Sequence, residues 1–368
     1  MARSTILAGL ALVAAGCGSR SDLSLPSTTT EACAGEAMAA RPCTSLHFGV
    51  APTPIDLTFD SKLAPGLSSS QLIDRGDHVD LITATTVTSI AASSTSLAVM
   101  RPPWQAPDLC GQVGASGALF ASTCQTPFTV FRVYDGSYTR IAERELVTAS
   151  FGGPAPIGGP SSWLVSWFNS AAIFGPDTQP IVGPIDEIAT FVDTPCGFVG
   201  VTQAGNSSTT LTYGADFDAP SGASVPFDTI GSQCCIALDG LARWPYDGES
   251  IAAVIGSGVF SEVAPNRLEV VSRSGAHPYD VTGAWPIATP LGLVLIETGQ
   301  GFVGPISLRI INPDGSAGAS LAVATPTTPT SGLTGLNVVW SNGVLVVLWA
   351  EYDASASHAF AATVRCDD

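Results

Sequence analysis

Lysine is almost absent from this chain, and the helix formers Gln and Glu are scarce as well. Lys62 is the only lysine among 368 residues, and no stretch beyond residue 45 keeps a helical period for three turns. This shortage argues against a helical fold. The chain instead has 38 glycines, 27 prolines and short apolar runs separated by Gly, Pro, Asp and Ser, which is typical of strands and tight turns. We therefore predict an all-β fold.

Positive charge is the second shortage. The chain has 14 Lys and Arg against 31 Asp and Glu, a formal net charge of −17, and its pI is near 4.4. Such a surface repels nucleic acid and anionic lipid headgroups, so we predict no nucleic-acid partner, and stable membrane contact has to come from acyl chains. A cationic partner stays open, although solubility is the simpler interpretation of the acidity.

Familiar catalytic and metal-binding motifs are also missing. The sequence has no G-x-S-x-G, H-E-x-x-H or Walker motif, no C-x-x-C pair, and four scattered histidines: His47, His78, His277 and His358. We predict no metal and no cofactor, and we expect a non-enzymatic protein. A fold that gathers distant residues at a central axis would still leave room for an active site without a sequence signal.

The first residues have the pattern of an export signal. Arg3 precedes an apolar run from Ile6 to Ala15, which is too short to span a bilayer and ends in small residues. Ala14-Ala15-Gly16-Cys17 resembles the lipobox of bacterial lipoproteins. That resemblance implies cleavage before Cys17, acylation of Cys17 and, since Gly18 is not an Asp retention signal, delivery to the outer membrane. The alternative is an ordinary signal peptide cut near Ala15 or Gly18.

These features divide the chain into three predicted parts. Residues 1–16 are the signal peptide, and residues 17–45 are a lipid-anchored flexible tether, because the sequence after Gly18 is polar and small with no period. Residues 46–368 are the folded domain. We expect a location in the cell envelope, as an outer-membrane lipoprotein that faces the periplasm or the exterior.

Cysteines other than Cys17 number eight, an even count that predicts disulfides in an exported chain. We name one pair, Cys110 and Cys124, because they flank a Gly/Ala/Ser-rich segment that we predict to be a loop between two strands. Adjacent Cys234 and Cys235 would point in different directions in extended chain, which favours separate partners such as Cys196 for one of them. The disulfide candidates are Cys33, Cys43, Cys110, Cys124, Cys196, Cys234, Cys235 and Cys366.

A degenerate repeat runs through the strands. Each copy has a hydrophobic strand, a gap, a second strand, and a turn of Asp or Ser followed by Gly. The first strands are read at 96–100, 197–201, 250–255 and 292–296, with partial copies at 163–167 and 344–349. The turn glycines are Gly136, Gly222, Gly275 and Gly315. Their mean spacing of about 45 residues is the length of a propeller blade. We predict a β-propeller of seven blades, with six as the alternative.

With its lipobox and degenerate blades, the chain resembles the β-propeller lipoproteins of large-genome soil bacteria, particularly myxobacteria. It has no Trp-Asp, kelch or Asp-box signature, so the resemblance is one of architecture, which hosts many functions. It implies an envelope lipoprotein whose propeller binds an envelope or extracellular protein or a polysaccharide. We expect the loops that join the blades, above all the segment from Cys110 to Cys124, to form the binding surface. The alternatives are a carbohydrate-active enzyme with carboxylates at the propeller funnel, or a structural part of an envelope complex.

Two local features invite a metal interpretation. The segment from Asp74 to Asp80 has three carboxylates and an imidazole, and the Asp-Gly pairs at 135–136, 247–248 and 314–315 resemble pieces of calcium loops. We favour solvated turns in both cases, because Asp and Gly suit tight turns between strands.

The tryptophans divide into two groups. We expect Trp163, Trp167 and Trp349 to pack between blades because they lie inside strand repeats. Trp104, Trp244 and Trp285 stand beside prolines, and we predict that they are exposed.

Overall fold

The chain folds into antiparallel strands throughout the part that can be described. The computed structural model describes residues 43–57, 70–83, 85–125, 128–147, 156–158, 162–167, 170–186, 188–194, 197–206, 210–217, 225–231, 236–257, 267–279, 281, 285–298, 305–327, 331–352 and 357–366. These ranges contain 28 strands in seven sheets of four. Among the described residues, none forms a helix long and apolar enough to span a bilayer.

Each sheet is one blade, and six blades use four consecutive strands. The first strand of the chain, β1 (Leu46–Ile55), does not belong to the first blade. Blade 1 contains β2 (Ser70–Asp74), β3 (Val79–Thr83), β4 (Thr86–Ala92) and β5 (Leu97–Gln105). Blade 2 contains β6 (Val113–Ser116), β7 (Leu119–Gln125), β8 (Thr129–Tyr134) and β9 (Arg140–Val147). Blade 3 contains β10 (Ile157–Gly158), β11 (Trp163–Trp167), β12 (Ser170–Phe174) and β13 (Pro180–Asp186).

The second half of the ring continues in the same way. Blade 4 contains β14 (Ile188–Thr194), β15 (Gly197–Asn206), β16 (Thr210–Asp216) and β17 (Val225–Gly231). Blade 5 contains β18 (Ile236–Arg243), β19 (Ile251–Ser257), β20 (Arg267–Ser272) and β21 (Gly275–Tyr279). Blade 6 contains β22 (Trp285–Thr289), β23 (Gly292–Thr298), β24 (Ile306–Ile311) and β25 (Ala317–Ala324). Blade 7 contains β26 (Gly332–Ser341), β27 (Val344–Tyr352) and β28 (Ser357–Cys366), with β1 as its outermost strand.

The blades form a closed ring. The first strands of neighbouring blades lie side by side, and β2 of blade 1 also contacts β26 of blade 7. Blade 7 is completed by β1, which pairs antiparallel with β28. A disulfide between Cys43 and Cys366 lies at the end of this pairing. The first and last strands that the structure describes therefore belong to one blade, which closes the ring. The prediction of a seven-bladed all-β propeller is confirmed.

The core is divided among the junctions between blades. Seven clusters of buried apolar side chains are present, one at each junction. Strand β27, with eight of its nine residues buried, contributes to the clusters on both sides of blade 7. A single blade could not bury its two faces alone, so each one depends on its neighbours.

The strands predicted from the repeat match second strands of the blades in five cases and an outer strand in one. The runs at 163–167, 197–201, 250–255, 292–296 and 344–349 lie in strands, as predicted, and each of these is the second strand of its blade rather than the first. The run at 96–100 lies instead in β5, the outermost strand of blade 1. The strand that pairs with β8 on the inner side is β7. An edge strand has the same alternating pattern as an inner one, which explains the error.

The segment between Cys110 and Cys124 is not a loop. It contains β6 and most of β7, the two inner strands of blade 2, joined at Gly117. The prediction of a flexible insertion there was wrong. Small residues suit the innermost strands because seven of these strands crowd around one axis.

The described part of the fold begins three residues before the predicted domain boundary. Cys43 is buried, with 2% of its surface exposed, and its backbone nitrogen donates a hydrogen bond to Leu291 of blade 6. The disulfide to Cys366 places Cys43 with the propeller rather than with the segment before it.

Candidate functional site

Tight turns occupy one face of the ring. In a four-stranded meander the first and third turns lie at the same end, so the Asp-rich turns of different blades share one face. Asp135 accepts hydrogen bonds from the backbone of Ser137 and Thr139, and Asp314 accepts one from the backbone of Ser316. A hydrogen bond from the Ser137 hydroxyl, followed by those from the backbone of Thr139 and Ser137, lowers the pKa of Asp135. These carboxylates cap turns, and the described residues contain no group of three or more potential metal ligands.

The same turn recurs between the third and fourth strands of blades 2, 3 and 6. Its fourth residue has a left-handed backbone: Tyr138 (φ 61), Thr178 (φ 64) or Gly315 (φ 79). The repeat predicts that Gly136 is equivalent to Gly315, but the residue that occupies this position in blade 2 is Tyr138. A tyrosine in this conformation is strained, so other contacts have to stabilise it.

Those contacts cross the junction between blades 1 and 2. The Tyr138 hydroxyl donates a 2.9 Å hydrogen bond to Asp80 Oδ2, and the Ser89 hydroxyl donates a 2.6 Å bond to Asp80 Oδ1. Asp80 is 3% exposed. Burial, reinforced by the Asp80 carboxylate, raises the pKa of the Tyr138 phenol, so the proton stays on tyrosine.

Arg75 covers the side chains of Tyr138 and Asp80 on the side that faces solvent. Its guanidinium stacks over the rings of Phe120 and Tyr138, at 4.4 and 5.3 Å from their centroids. Nη2 donates a hydrogen bond to the carbonyl of Gly136, and Nη1 lies 3.5 Å from Asp80 Oδ2. Arg75 therefore contacts both blades, Asp80 in blade 1 and Phe120, Gly136 and Tyr138 in blade 2.

The segment from Asp74 to Asp80 is thus partly the turn that we predicted. Asp74 accepts a hydrogen bond from the backbone of Gly76, and Asp77 is exposed and bonded to His78 at 2.6 Å. Asp80 is the exception, because it lies in β3 and is buried. Its place next to Val79, in an apolar run, was the sequence signal for burial.

A second polar network lies deeper in the same junction. Cys110 and Cys124 form a disulfide, as the sequence analysis proposed for them. Arg132 Nη1 lies 3.3 Å from Cys110 Sγ and donates a 3.0 Å hydrogen bond to the carbonyl of Asp108. The Tyr134 hydroxyl donates to the same carbonyl at 2.9 Å. These contacts hold the segment between β5 and β6 against blade 2.

Glu143 continues the network to the surface. It lies 2.6 Å from Arg132 and 2.5 Å from Arg140. Burial favours the neutral acid, but the hydrogen bonds from the two guanidinium groups together outweigh it and lower the pKa of Glu143. Neither arginine is free to bind a ligand while Glu143 is ionised.

The outermost strand of blade 1 carries a different kind of surface. Met100 is 59% exposed, and Arg101 beside it is exposed with its guanidinium 4.5 Å from the ring centroid of Trp104. Among the described residues, no hydrogen bond or ion pair engages the Arg101 guanidinium, so its five N–H donors stay available. We call Met100, Arg101 and Trp104 the blade 1 rim.

Further apolar side chains are exposed on neighbouring outer strands. Ile141 in β9 is 52% exposed and Ile181 in β13 is 49% exposed. Scattered exposed apolar residues are normal, and neither of these has an arginine stacked on a tryptophan beside it in the part of the chain that is described. The blade 1 rim is therefore the candidate binding site.

The tryptophans follow the predictions in part. Trp163 and Trp349 are buried, with 1% and 3% exposed, and belong to the clusters between blades. Trp104 and Trp285 are half-buried, but Trp244 is 5% exposed, so the prediction of its exposure was wrong. Trp244 packs against Tyr246 and Tyr279, which fill the junction of blades 5 and 6.

Other buried carboxylates hold their own surroundings together. Glu351 in blade 7 accepts hydrogen bonds from the hydroxyls of Thr327 and Ser331 and so fixes the connection between blades 6 and 7. Glu269 in blade 5 pairs with Arg267 at 2.5 Å. Sequence reasoning missed both of these residues.

Several predicted residues lie outside the described part of the chain. Lipidation of Cys17, and the pairing of Cys33, Cys196, Cys234 and Cys235, stay predictions. The two described disulfides involve Cys43 with Cys366 and Cys110 with Cys124.

Comparison with known proteins adds support for the fold alone. No known protein family and no curated protein matches the chain. Among solved structures, a chain of the mitotic checkpoint complex is similar with a TM-score of 0.52 at 11% identity, covering 88% of this chain and 96% of that one. The WD40 domain of Toxoplasma gondii coronin is similar with a TM-score of 0.52 at 9% identity, covering 90% and 89%. The chain shares the propeller architecture of these proteins.

Proposed function

We propose that this chain is an envelope-anchored binding propeller without enzymatic activity, held to the outer membrane by lipid on Cys17. In this proposal it docks an envelope or extracellular protein on the blade 1 rim. The observation that carries the docking proposal is the available Arg101 guanidinium stacked on Trp104 beside exposed Met100. Tryptophan, arginine and methionine are enriched at protein interfaces, and Arg and Trp at their binding hot spots.

The fold supports a binding role in general terms. Propellers present rigid surfaces on a closed scaffold, and one structural neighbour comes from a multi-protein complex. Pro102 and Pro103 lie between Arg101 and Trp104 in β5, which restricts the backbone of the rim. A rigid surface loses little entropy when a partner binds.

The partner is expected to offer a carboxylate with an apolar neighbour. The carboxylate would accept two parallel hydrogen bonds from Arg101, and the apolar group would cover Met100. The chain carries a formal net charge of −17, so Arg101 would also steer an acidic site of the partner to this rim rather than elsewhere.

Capture of partners from envelope extract tests the docking proposal. Wild-type protein should retain a protein that the double variant Met100→Glu, Arg101→Glu loses by at least about tenfold. Ile181→Glu is the matched control, since Ile181 is exposed to a similar degree on the outer strand of blade 3. Equal capture by all three proteins, or capture of glycan only, would contradict the proposal.

The anchor is tested separately. Cys17→Ala should release the protein from membranes and abolish labelling by a radioactive fatty acid, because a signal without the cysteine cannot be acylated. Continued membrane association of this variant would remove the anchor and leave the docking proposal untouched.

A further inference from the structure

The disulfide between Cys110 and Cys124 joins a partly exposed sulfur to a buried one. Cys124 lies in β7 and is fully buried, whereas Cys110 is half-buried and is followed by exposed Gly111 and Gln112. A thiolate in solution attacks a disulfide at the sulfur that it can reach. Cys110 Sγ is therefore the sulfur at which an external thiol reacts.

The surroundings of Cys110 favour a negative charge on its sulfur. Arg132 Nη1 lies 3.3 Å from Cys110 Sγ, and the Ser122 hydroxyl lies 3.7 Å from it. Nη1 carries two N–H groups, so it donates one hydrogen bond to the carbonyl of Asp108 and the other to the sulfur. A cation at this distance stabilises a thiolate relative to the neutral thiol.

The carboxylates nearby leave this contact intact. Glu143 accepts a 2.6 Å hydrogen bond from Arg132 Nε, which lies on a different edge of the guanidinium, and it is also paired with Arg140 at 2.5 Å. The Asp108 side chain is 45% exposed and lies 4.0 Å from Arg140. In the described part of the chain, Arg132 is thus the charged group that contacts Cys110 Sγ.

We propose that Cys110 and Cys124 form a thiol–disulfide exchange site for a dithiol reductant, in which Cys110 reacts and Arg132 stabilises its thiolate. One thiolate of the dithiol attacks Cys110 Sγ, the S–S bond breaks, and its electron pair goes to Cys124 Sγ, which takes up a proton. The second thiol loses its proton to solvent and attacks the reductant sulfur bound to Cys110, which leaves as a thiolate. The dithiol becomes a disulfide, and its two electrons reduce the protein disulfide.

The local structure has other contacts that hold it when this bond opens. Arg132 and the Tyr134 hydroxyl both donate hydrogen bonds to the carbonyl of Asp108. Leu109, next to Cys110, is buried in the apolar cluster between blades 1 and 2. These contacts do not involve the S–S bond, so the reduced cysteines stay close together and the disulfide can form again.

The disulfide between Cys43 and Cys366 has a different environment. Cys43 is buried, and its Sγ lies 3.0 Å from the carbonyl oxygen of Ser45. The partial negative charge of a carbonyl oxygen repels a thiolate, so this contact disfavours the charged reduced form. This second disulfide therefore serves as a reference within the same molecule.

Equilibration of the purified protein with graded ratios of reduced to oxidised dithiothreitol tests the proposal. Differential alkylation followed by peptide mass spectrometry reads each disulfide separately. We expect Cys110–Cys124 to be half reduced at a ratio that leaves Cys43–Cys366 oxidised. Circular dichroism at this ratio should show the strand content of the oxidised protein.

Substitutions at Arg132 test the role of its charge in the same titration. Arg132→Gln should lower the equilibrium constant for reduction of the Cys110 disulfide by about tenfold, because the thiolate loses its cation. Arg132→Lys keeps the charge and should lower it less. Arg144→Gln is the matched control, because Arg144 is another arginine of blade 2 and its Nη1 contacts Thr178 and Gln179 instead. It should leave the constant unchanged.

The variant Cys124→Ser leaves Cys110 as a free thiol and measures its thiolate directly. Its rate of alkylation by iodoacetamide should rise with pH around a midpoint at least about one unit below the ordinary cysteine value of about 8.5. Adding Arg132→Gln should raise this midpoint by about one unit. A purely structural role of Arg132 would not move it.

Three results would overturn the proposal. The first is a Cys110–Cys124 disulfide that resists reduction until Cys43–Cys366 is reduced as well, or whose reduction unfolds the protein. The second is a Cys110 thiol in Cys124→Ser that titrates like an ordinary cysteine. The third is an equal change of the equilibrium constant in Arg132→Gln and Arg144→Gln.

Discussion

The phenol of Tyr138 donates a 2.9 Å hydrogen bond to the buried carboxylate of Asp80, and this contact joins blade 2 to blade 1. Tyr138 makes it from a left-handed backbone conformation (φ 61) that tyrosine rarely adopts. Its ring also lies beneath the guanidinium of Arg75 and stacks on Phe120 at 4.7 Å. The strain in one turn is thus offset by contacts with the neighbouring blade.

Removing this hydroxyl should destabilise the propeller moderately. Tyr138→Phe keeps the ring stacking but leaves Asp80 short of a donor, which should lower the free energy of unfolding by about 1–2 kcal/mol. Asp80→Asn should cost more, about 3 kcal/mol, because Arg75 then loses its carboxylate. Chemical denaturation measures both values. The control is Tyr352→Phe at an exposed tyrosine, which should change little. An equal effect at both tyrosines would refute the bridge.

The disulfide between Cys43 and Cys366 should stabilise the ring closure. It closes a loop with a sequence separation of 323 residues. Replacing both cysteines by serine should therefore lower the free energy of unfolding by about 2–5 kcal/mol. Thermal unfolding without reductant measures the loss, and limited proteolysis should cut first near β1. An unchanged Tm would show that the strand pairing alone closes the ring.

Gly315 and Gly343 allow the cost of backbone strain to be measured apart from the cost of a steric clash, because they have the same φ but different surroundings. Gly315 and Gly343 both have φ 79, so alanine should cost each about 1 kcal/mol in backbone strain. A methyl group at Gly315 would also run into the ring of Tyr279, whereas at Gly343 it meets open space. We expect Gly315→Ala to cost about 1–3 kcal/mol more than Gly343→Ala in urea denaturation. Equal losses would mean that Tyr279 moves aside freely.

Acid should weaken the junction of blades 1 and 2 through Glu143. The pKa of Glu143 is lowered in the folded protein, so its contribution to stability is present above the pKa of the unfolded chain and is lost as pH falls through the folded pKa. Urea denaturation at several pH values should show wild type more stable than Glu143→Gln near neutrality. The two curves should converge below about pH 4. A constant difference across this range would contradict the ion-pair assignment.

Strands buried on both faces could be recognised from sequence because burial leaves an apolar run. The run from Val344 to Trp349 is an example, since these residues are buried between blades 6 and 1 on the two sides of blade 7. The turns after such strands gave the spacing of about 45 residues, and hence seven blades. Strands of small residues, such as β6, leave no comparable signal, and the sequence therefore predicts a loop there.

The candidate site was harder to predict, for a related reason. Trp104 was expected at the surface, but nothing in the sequence showed that Arg101 stacks on it or lacks an ion pair. The left-handed Tyr138 also had no local signal, because the contacts that stabilise it come from Arg75 and Asp80 in another blade. Contacts between blades join residues that lie tens of positions apart.

By itself, the sequence determined that this chain is built of repeated antiparallel sheets, because alternation, burial and turn residues act within a few positions of the chain. The tertiary structure decided how the ring closes and which carboxylates are buried. Those properties depend on neighbours that only the closed ring brings together, such as β1 beside β28 and Asp80 beside Tyr138.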